Sequence, residues 1–146
     1  MNEENKDTPP SLANWMHQVE ADKLGEAFEL LMDQVVILDR NAIIRFANSA
    51  MIVKTGYTKS EFIGKNPHDV WGGHMSKDFY GVLWYTVKQE KKHFVGQNTN
   101  QRRDGSEYIE ELHVSPVLDD KGEAKYFIGI AFDITDRKPS KENAVD

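Results

Sequence analysis

The chain has 146 residues, with 18 Lys+Arg against 24 Asp+Glu for a formal net charge of -6, 39% hydrophobic residues and no cysteine. This length suits one domain with a real core, and the acidic balance argues against a nucleic-acid or anionic-membrane surface, which wants a clustered basic face. The missing cysteine excludes disulfides, thiolate metal ligands and cysteine nucleophiles; no run approaches a membrane span and no charged-then-apolar leader follows Met1, so cytoplasmic residence is expected.

Residues 1–10 are polar and acidic and end in Pro9-Pro10, which predicts a disordered lead. In residues 11–32, Leu12, Trp15, Met16, Val19, Leu24, Phe28, Leu31 and Met32 recur at three-to-four spacing behind Ser11 as N-cap. This is the pattern of an amphipathic helix that needs a surface to lie on, and Gly25 predicts a break into two pieces. Residues 35–39 and 42–47 read as two strands joined by a turn at Arg40-Asn41. Asn48 is the N-cap of a helix ending at Gly56, and Thr58 to Glu61 has capping-box spacing. Residues 64–74 read as a loop anchored by Val70 and Trp71. Residues 76–91 form the longest helical pattern after the N-terminus, with Phe79, Tyr80, Leu83, Trp84 and Val87 on one arc and Tyr85 opposite.

From Phe94 to Arg137, three strand-forming runs are separated by Asp104-Gly105 and by Asp119 to Gly122, turn signals that need positive φ. A three-stranded antiparallel meander follows, and the element order describes an α+β fold with one antiparallel sheet covered by helices. On the last strand Tyr126, Ile128, Ile130, Phe132 and Ile134 share one apolar face. Phe127, Gly129, Ala131 and Asp133 share the other, where small residues leave room for a closely packed helix or for a ligand. Glu110 is either a buried carboxylate with a raised pKa or a strand-edge residue reaching solvent. No metalloprotease, nucleophile-elbow or phosphate-loop motif is present. Glu110, Glu111 and His113 do not share one face, and Gln101-Arg102-Arg103 reads as a solvated edge. No catalytic or metal site is expected.

The string GYTKSEFIGKN, the Leu83-Trp84 pair, and NQRRDGSEYIEELHVSPVLDDKGEAKYFIGIAFDITDRK resemble a PAS domain over about residues 32–138. The resemblance implies a five-stranded antiparallel sheet with helices forming a pocket on one face and the N-terminal amphipathic helix on the other. It divides the chain into the lead (1–10), that helix (11–32), a sensor domain (33–138) and a linker (139–146) to an output domain such as a histidine kinase or diguanylate cyclase, with homodimerisation through the N-terminal helix and outer sheet face. Within the family the chain looks most like FAD-binding redox sensors and is related to blue-light LOV domains. The LOV motif Gly-x-Asn-Cys stands here as Gly64-Lys65-Asn66-Pro67, so a cysteinyl-flavin adduct cannot form. Ala131 stands where LOV domains carry glutamine, and Glu110 where they carry asparagine. Carried over by this resemblance, Trp84 and Leu83 would lie against the ring of FAD or FMN, Asn100 would hydrogen-bond its polar edge, and Asn66, Glu110 and Ala131 would complete the site.

Three alternatives stay open. Trp84 can be core filling. Haem sensors of this family use a histidine near the longer helix, for which His68, His74 and His93 qualify by position. The domain can also act without a cofactor, as a dimerisation and relay module with no nucleic-acid partner.

Overall fold

The computed structural model describes residues 21–70 and 74–135. The expected lead, the Ser11 cap, the first half of the N-terminal helix, the Trp71 anchor, the end of the sensor domain past position 135 and the linker lie outside the described residues. The elements are α1 (Ala21–Leu30), β1 (Gln34–Asp39), β2 (Ile44–Ala47), α2 (Ser49–Thr55), α3 (Lys59–Phe62), α4 (Pro67–Val70), α5 (Lys77–Trp84) with a π-helical turn (Tyr85–Gln89), β3 (Phe94–Gln101), β4 (Glu107–Leu118) and β5 (Ala124–Asp133). The strands form one antiparallel sheet in the order β2-β1-β5-β4-β3. The expected five-stranded α+β architecture is therefore present. The meander β3-β4-β5 is as its two turns dictate, with Gly105 and Gly122 at φ 92 and 78. What closes the sheet is β1 pairing with β5, which joins the first and last strands of the domain.

Local chemistry explains most boundaries. Asn48, fully buried, accepts from the backbone N–H of Met51 to cap α2 and from that of Val35 to hold β1. Its amide donates to the carbonyls of Phe28 and Asp33, so one side chain fastens α1, β1 and α2 together. The capping box of Thr58 and Glu61 forms as expected. Three boundaries differ from expectation. β2 begins at Ile44 because Ala42 turns to φ 64 and the Asp39 carboxylate accepts from the N–H groups of Asn41 and Ile43, which extends the turn. The expected loop over 64–74 contains α4, whose first residue is Pro67 and whose N–H at His68 is met by Asn66 Oδ1. The helix at 76–91 stops being α-helical at Trp84, widens into the π turn and is ended by Lys91 at φ 57.

The described backbone of α1 runs unbroken through Gly25. Its C-terminal half is tied to α2, α3 and β2: Glu29 accepts from Ser49 Oγ and Lys59 Nζ, and the Phe28 ring meets Phe46 at 6.1 Å. Arg102 and Arg103, expected to be a solvated edge, clasp the β3–β4 turn to the helices. Arg102 donates to the Lys54 carbonyl and Asp133 and lies 4.6 Å over the Tyr108 ring. Arg103 pairs with Glu61 and its N–H donates to the Thr55 carbonyl. Phe62, Ile44, Met51, Val87 and Phe127 form the centre of the core between helices and sheet.

Candidate functional site

Strand alternation decides which residues meet the helices. On β5, Phe127, Gly129 and Ala131 are buried while Tyr126, Ile128, Ile130 and Phe132 are half-exposed on the outer side. On β4, Tyr108, Glu110 and Val114 turn inward, which settles the orientation that the mixed pattern left open. Between sheet and helices lies a cavity of about 460 Å³, within the size range of small-molecule sites, commonly ~300–1,000 Å³. The sheet contributes Val36, Leu38, Leu112, Val114, Gly129 and the polar trio Asn98, Asn100 and Glu110. The helical side contributes Asn66, Pro67, His68, Lys77, Tyr80, Leu83 and Trp84.

The polar trio is the unusual part of this wall. Asn98 stands opposite Glu110 in the β3–β4 register, and Asn100 lies one pair along the same face. Asn98 Nδ2 donates to Glu110 Oε1 at 3.1 Å and Asn100 Nδ2 to the same oxygen at 2.7 Å; Gln34 Nε2 reaches Oε2 at 3.5 Å. Tyr108 Oη in turn donates to Gln34 Oε1 at 3.5 Å. Glu110 is 2% exposed, Asn100 3% and Asn98 6%. Because both amides turn their N–H groups to the carboxylate, Asn98 Oδ1 and Asn100 Oδ1 are left buried with no partner among the described residues. Such orphaned acceptors cost about 1–3 kcal/mol each and mark a place where a donor belongs.

Burial pushes the Glu110 carboxyl up to about 7. The Asn98 hydrogen bond works against this, the Asp133 charge adds to it, and the Gln34 and Asn100 bonds work against it again. Asp133 sits opposite Glu110 in the β4–β5 register. Its own partial burial would raise it, but hydrogen bonds from Thr135 and the charges of Lys54 and Arg102 hold it below the usual carboxylate range. The cations therefore sit on Asp133, and Glu110 is surrounded by neutral amides.

Of the residues singled out in the sequence, Asn66, Leu83, Trp84, Asn100 and Glu110 all line the cavity. Ala131 does not; it lines a small hollow with Gln34 and Met51, to which Leu112 and Gly129 of the cavity wall also contribute. Trp84 both packs and lines: its ring meets Phe127 edge-on at 5.5 Å and also faces the cavity. Gly129 is small for a packing reason, since a Cβ there would lie 3.0 Å from Val36 Cγ1. Of the three histidines considered for haem, His68 lines the cavity. His74 is exposed, and His93 lies on the outer face of the sheet, hydrogen-bonded to Ser115 and His113. Asn98 and Gln34 escaped the sequence reading. Asn98 was accessible through its i, i+2 spacing from Asn100; Gln34 was not, since only the β1–β5 pairing brings it beside Glu110.

Among the described residues no cluster of His, Asp and Glu has metal-binding geometry, and no helix is long and apolar enough to cross a membrane. A PAS domain family profile matches residues 32–136. The chain is similar to a nitrogen fixation regulatory protein of Klebsiella oxytoca, 31% identical over 101 residues, covering 69% of this chain and 20% of that protein. It is also similar to a blue-light photoreceptor of Listeria innocua, 32% identical over 117 residues, covering 78% of this chain and 46% of the other. The chain thus spans a fifth to just under half of these relatives. Among solved structures, an RNA-binding Light-Oxygen-Voltage receptor superposes with a TM-score of 0.76 at 22% identity, covering 90% of this chain and 38% of that one. This last likeness is one of fold.

Proposed function

Because the chain belongs to the PAS domain family, we propose that it is a non-catalytic, cytoplasmic sensory input domain that holds a flavin ring, of FAD or FMN, in the cavity and passes its state through the sheet to an output partner. The observation that carries this reading is the pair of buried amides, Asn98 and Asn100, each with hydrogen-bonding capacity left unmet, on the lining of an otherwise largely apolar cavity of about 460 Å³. A flavin ring pairs flat apolar faces with a pyrimidine edge of alternating carbonyl and N–H groups, the chemistry that apolar walls and a few convergent amides recognise. Leu83 and Trp84 would flank the ring, Asn98 and Asn100 would hold its edge, and Glu110 would set which way each amide is turned. A bound flavin supplies reversible electron and proton uptake and blue-light absorption. The similarity to a blue-light photoreceptor supports the same choice. A cysteinyl adduct plays no part, since the chain has no cysteine and Pro67 occupies that position.

The absorption spectrum of the purified protein tests the reading. The two bands of oxidised flavin are expected; a Soret band would favour haem with His68 as ligand, and a colourless protein would favour the cofactor-free relay. Trp84→Ala is expected to lower flavin occupancy, and unchanged occupancy would remove Trp84 from the site.

A relay role rests on a separate observation. The outer face of β5 presents half-exposed Ile128, Ile130 and Phe132, and Leu30, which ends α1, and Met32 just beyond it are more than four-fifths exposed. A homodimer through this face and the N-terminal helix accounts for both. Light scattering on the full chain and on a variant without residues 1–33 tests it: a dimer that becomes monomeric is expected, and an unchanged state would refute the role of that helix. The output domain proposed is of the histidine kinase or diguanylate cyclase type, attached to the same longer chain or carried by a partner.

A further inference from the structure

Glu110 is the one inner-face carboxylate in the described sheet whose every protein partner is a neutral amide. β3 offers Asn98 and Asn100, and β1 offers Gln34. β5 offers Asp133, whose charge is taken up by Arg102 at 3.4 Å and Lys54 at 3.9 Å. From α2, Met51 lines the small hollow that Glu110 also lines, and His68 and Lys77 contribute to the helical side of the cavity. Tyr108, on Glu110's own strand, donates to Gln34.

The protonation state of this carboxyl dictates what the wall presents. An ionised carboxylate only accepts, so it draws the N–H groups of both asparagines and leaves both amide oxygens without a protein partner, as in this structure, on two side chains that line the cavity. A protonated Glu110 becomes a donor through its O–H. One asparagine can then turn its oxygen to that O–H and free its N–H₂, while the other keeps its oxygen free. The wall changes from two acceptors to one acceptor and one donor.

We infer that Glu110 acts as a proton-controlled selector of ligand edge chemistry, so that binding an imide-type edge, with C=O and N–H side by side, is linked to uptake of one proton from solvent onto Glu110. A ligand edge of that kind needs both a donor and an acceptor from the protein. It is matched by the protonated wall and mismatched by the ionised one, where a ligand carbonyl would face an amide oxygen. Ligand edges made only of donors reverse the preference. The upward push on the Glu110 carboxyl by burial places the change near neutrality. This inference rests on the cavity being a ligand site of the proposed kind; the change in the wall itself does not depend on any ligand.

Two measurements on the full chain keep those two statements apart. In the first, the side-chain N–H₂ signals of Asn98 and Asn100 are followed by ¹⁵N NMR without ligand from about pH 5.5 to about pH 8.5. Both are expected to shift with one common midpoint near 7 and to stay still in Glu110→Gln, which keeps the shape and the donor but cannot ionise. Signals that do not move in the wild type, or move equally in Glu110→Gln, overturn the inference. If that variant fails to fold, a common wild-type midpoint supports the change in the wall and its absence overturns it. In the second, riboflavin, which carries no phosphate and does not titrate in this range, is the probe, followed by fluorescence quenching. Its affinity is expected to fall by up to about tenfold per pH unit above the midpoint in the wild type and to be level in Glu110→Gln; that variant also separates Glu110 from His68. A level wild-type affinity overturns the linkage. An intact amide titration with no riboflavin binding at any pH supports the change in the wall and overturns the flavin reading instead.

Discussion

Strands β3 and β4 carry a hydrogen-bonded carboxylate on each face, and the two are adjacent in sequence. Inside, Glu110 gathers Asn98, Asn100 and Gln34 in a buried wall. Outside, Glu111 accepts from His113 Nε2 at 3.2 Å, His113 Nδ1 meets His93 Nε2 at 3.1 Å, and His93 Nδ1 meets Ser115 Oγ at 2.6 Å. One direction of donation, from the Ser115 hydroxyl through both neutral imidazoles to Glu111, satisfies every link. The outer chain has water to complete it and leaves no orphan. The inner trio is almost wholly buried, and two of its amide oxygens are left without a protein partner. The same residue type one position apart is solvent-facing on one side and buried with a raised pKa on the other, because burial differs.

The contrast breaks most readily through the core. Phe127→Ala, on the inner face of β5 and 1% exposed, is expected to cost about 3–5 kcal/mol. Phe132→Ala on the outer face of the same strand is expected to cost about 1 kcal/mol. Urea unfolding with unchanged m-values measures both, and equal losses would mean that the outer face is as buried as the inner one.

The next effect is on pH. The folded value for Glu110 lies above its ordinary value of 4.5, so the native state binds this proton more tightly than the unfolded chain. Its stabilising contribution is complete below about pH 4.5 and is lost as pH rises through about 7, a change on the order of 3 kcal/mol. Glu110→Gln is expected to remove that slope; a wild-type stability flat from about pH 5 to about pH 8 would show that Glu110 is not perturbed. Asp133, held low, has the opposite sign and acts only at acid pH: its contribution is present above its ordinary value of 3.8 and lost as pH falls through its folded value.

A smaller change sharpens the same point. Arg102→Gln takes a cation from Asp133 and leaves more of that charge facing Glu110, so the Glu110 midpoint is expected to move upward. A midpoint that stays put or falls would show that Asp133 does not reach Glu110 electrostatically. The smallest effect is expected outside. Glu111→Gln should alter stability by no more than about 0.5 kcal/mol and leave the slope between about pH 5 and about pH 8 as in the wild type; a changed slope would mean that the outer chain contributes to the titration assigned to Glu110.

Local signals in the sequence determined the meander, its two glycine turns, the caps at Asn48 and Thr58, and the inward register of Phe127, Gly129 and Ala131, because each depends on residues within one turn or one strand. The family motifs spread along the chain were legible as well, and through them Asn100, Leu83 and Trp84, which line the cavity. The environment of Glu110 was not. Its burial follows from the mixed β4 strand turning one particular face to the helices, and its partners come from three strands, with Gln34 76 positions away. Nor could spacing show that Arg102 and Lys54 neutralise Asp133 and leave Glu110 with amides alone. Pairing across a sheet joins residues that no local pattern relates, and burial, which only tertiary packing sets, decides whether a carboxylate beside an asparagine is an edge decoration or the polar heart of a cavity.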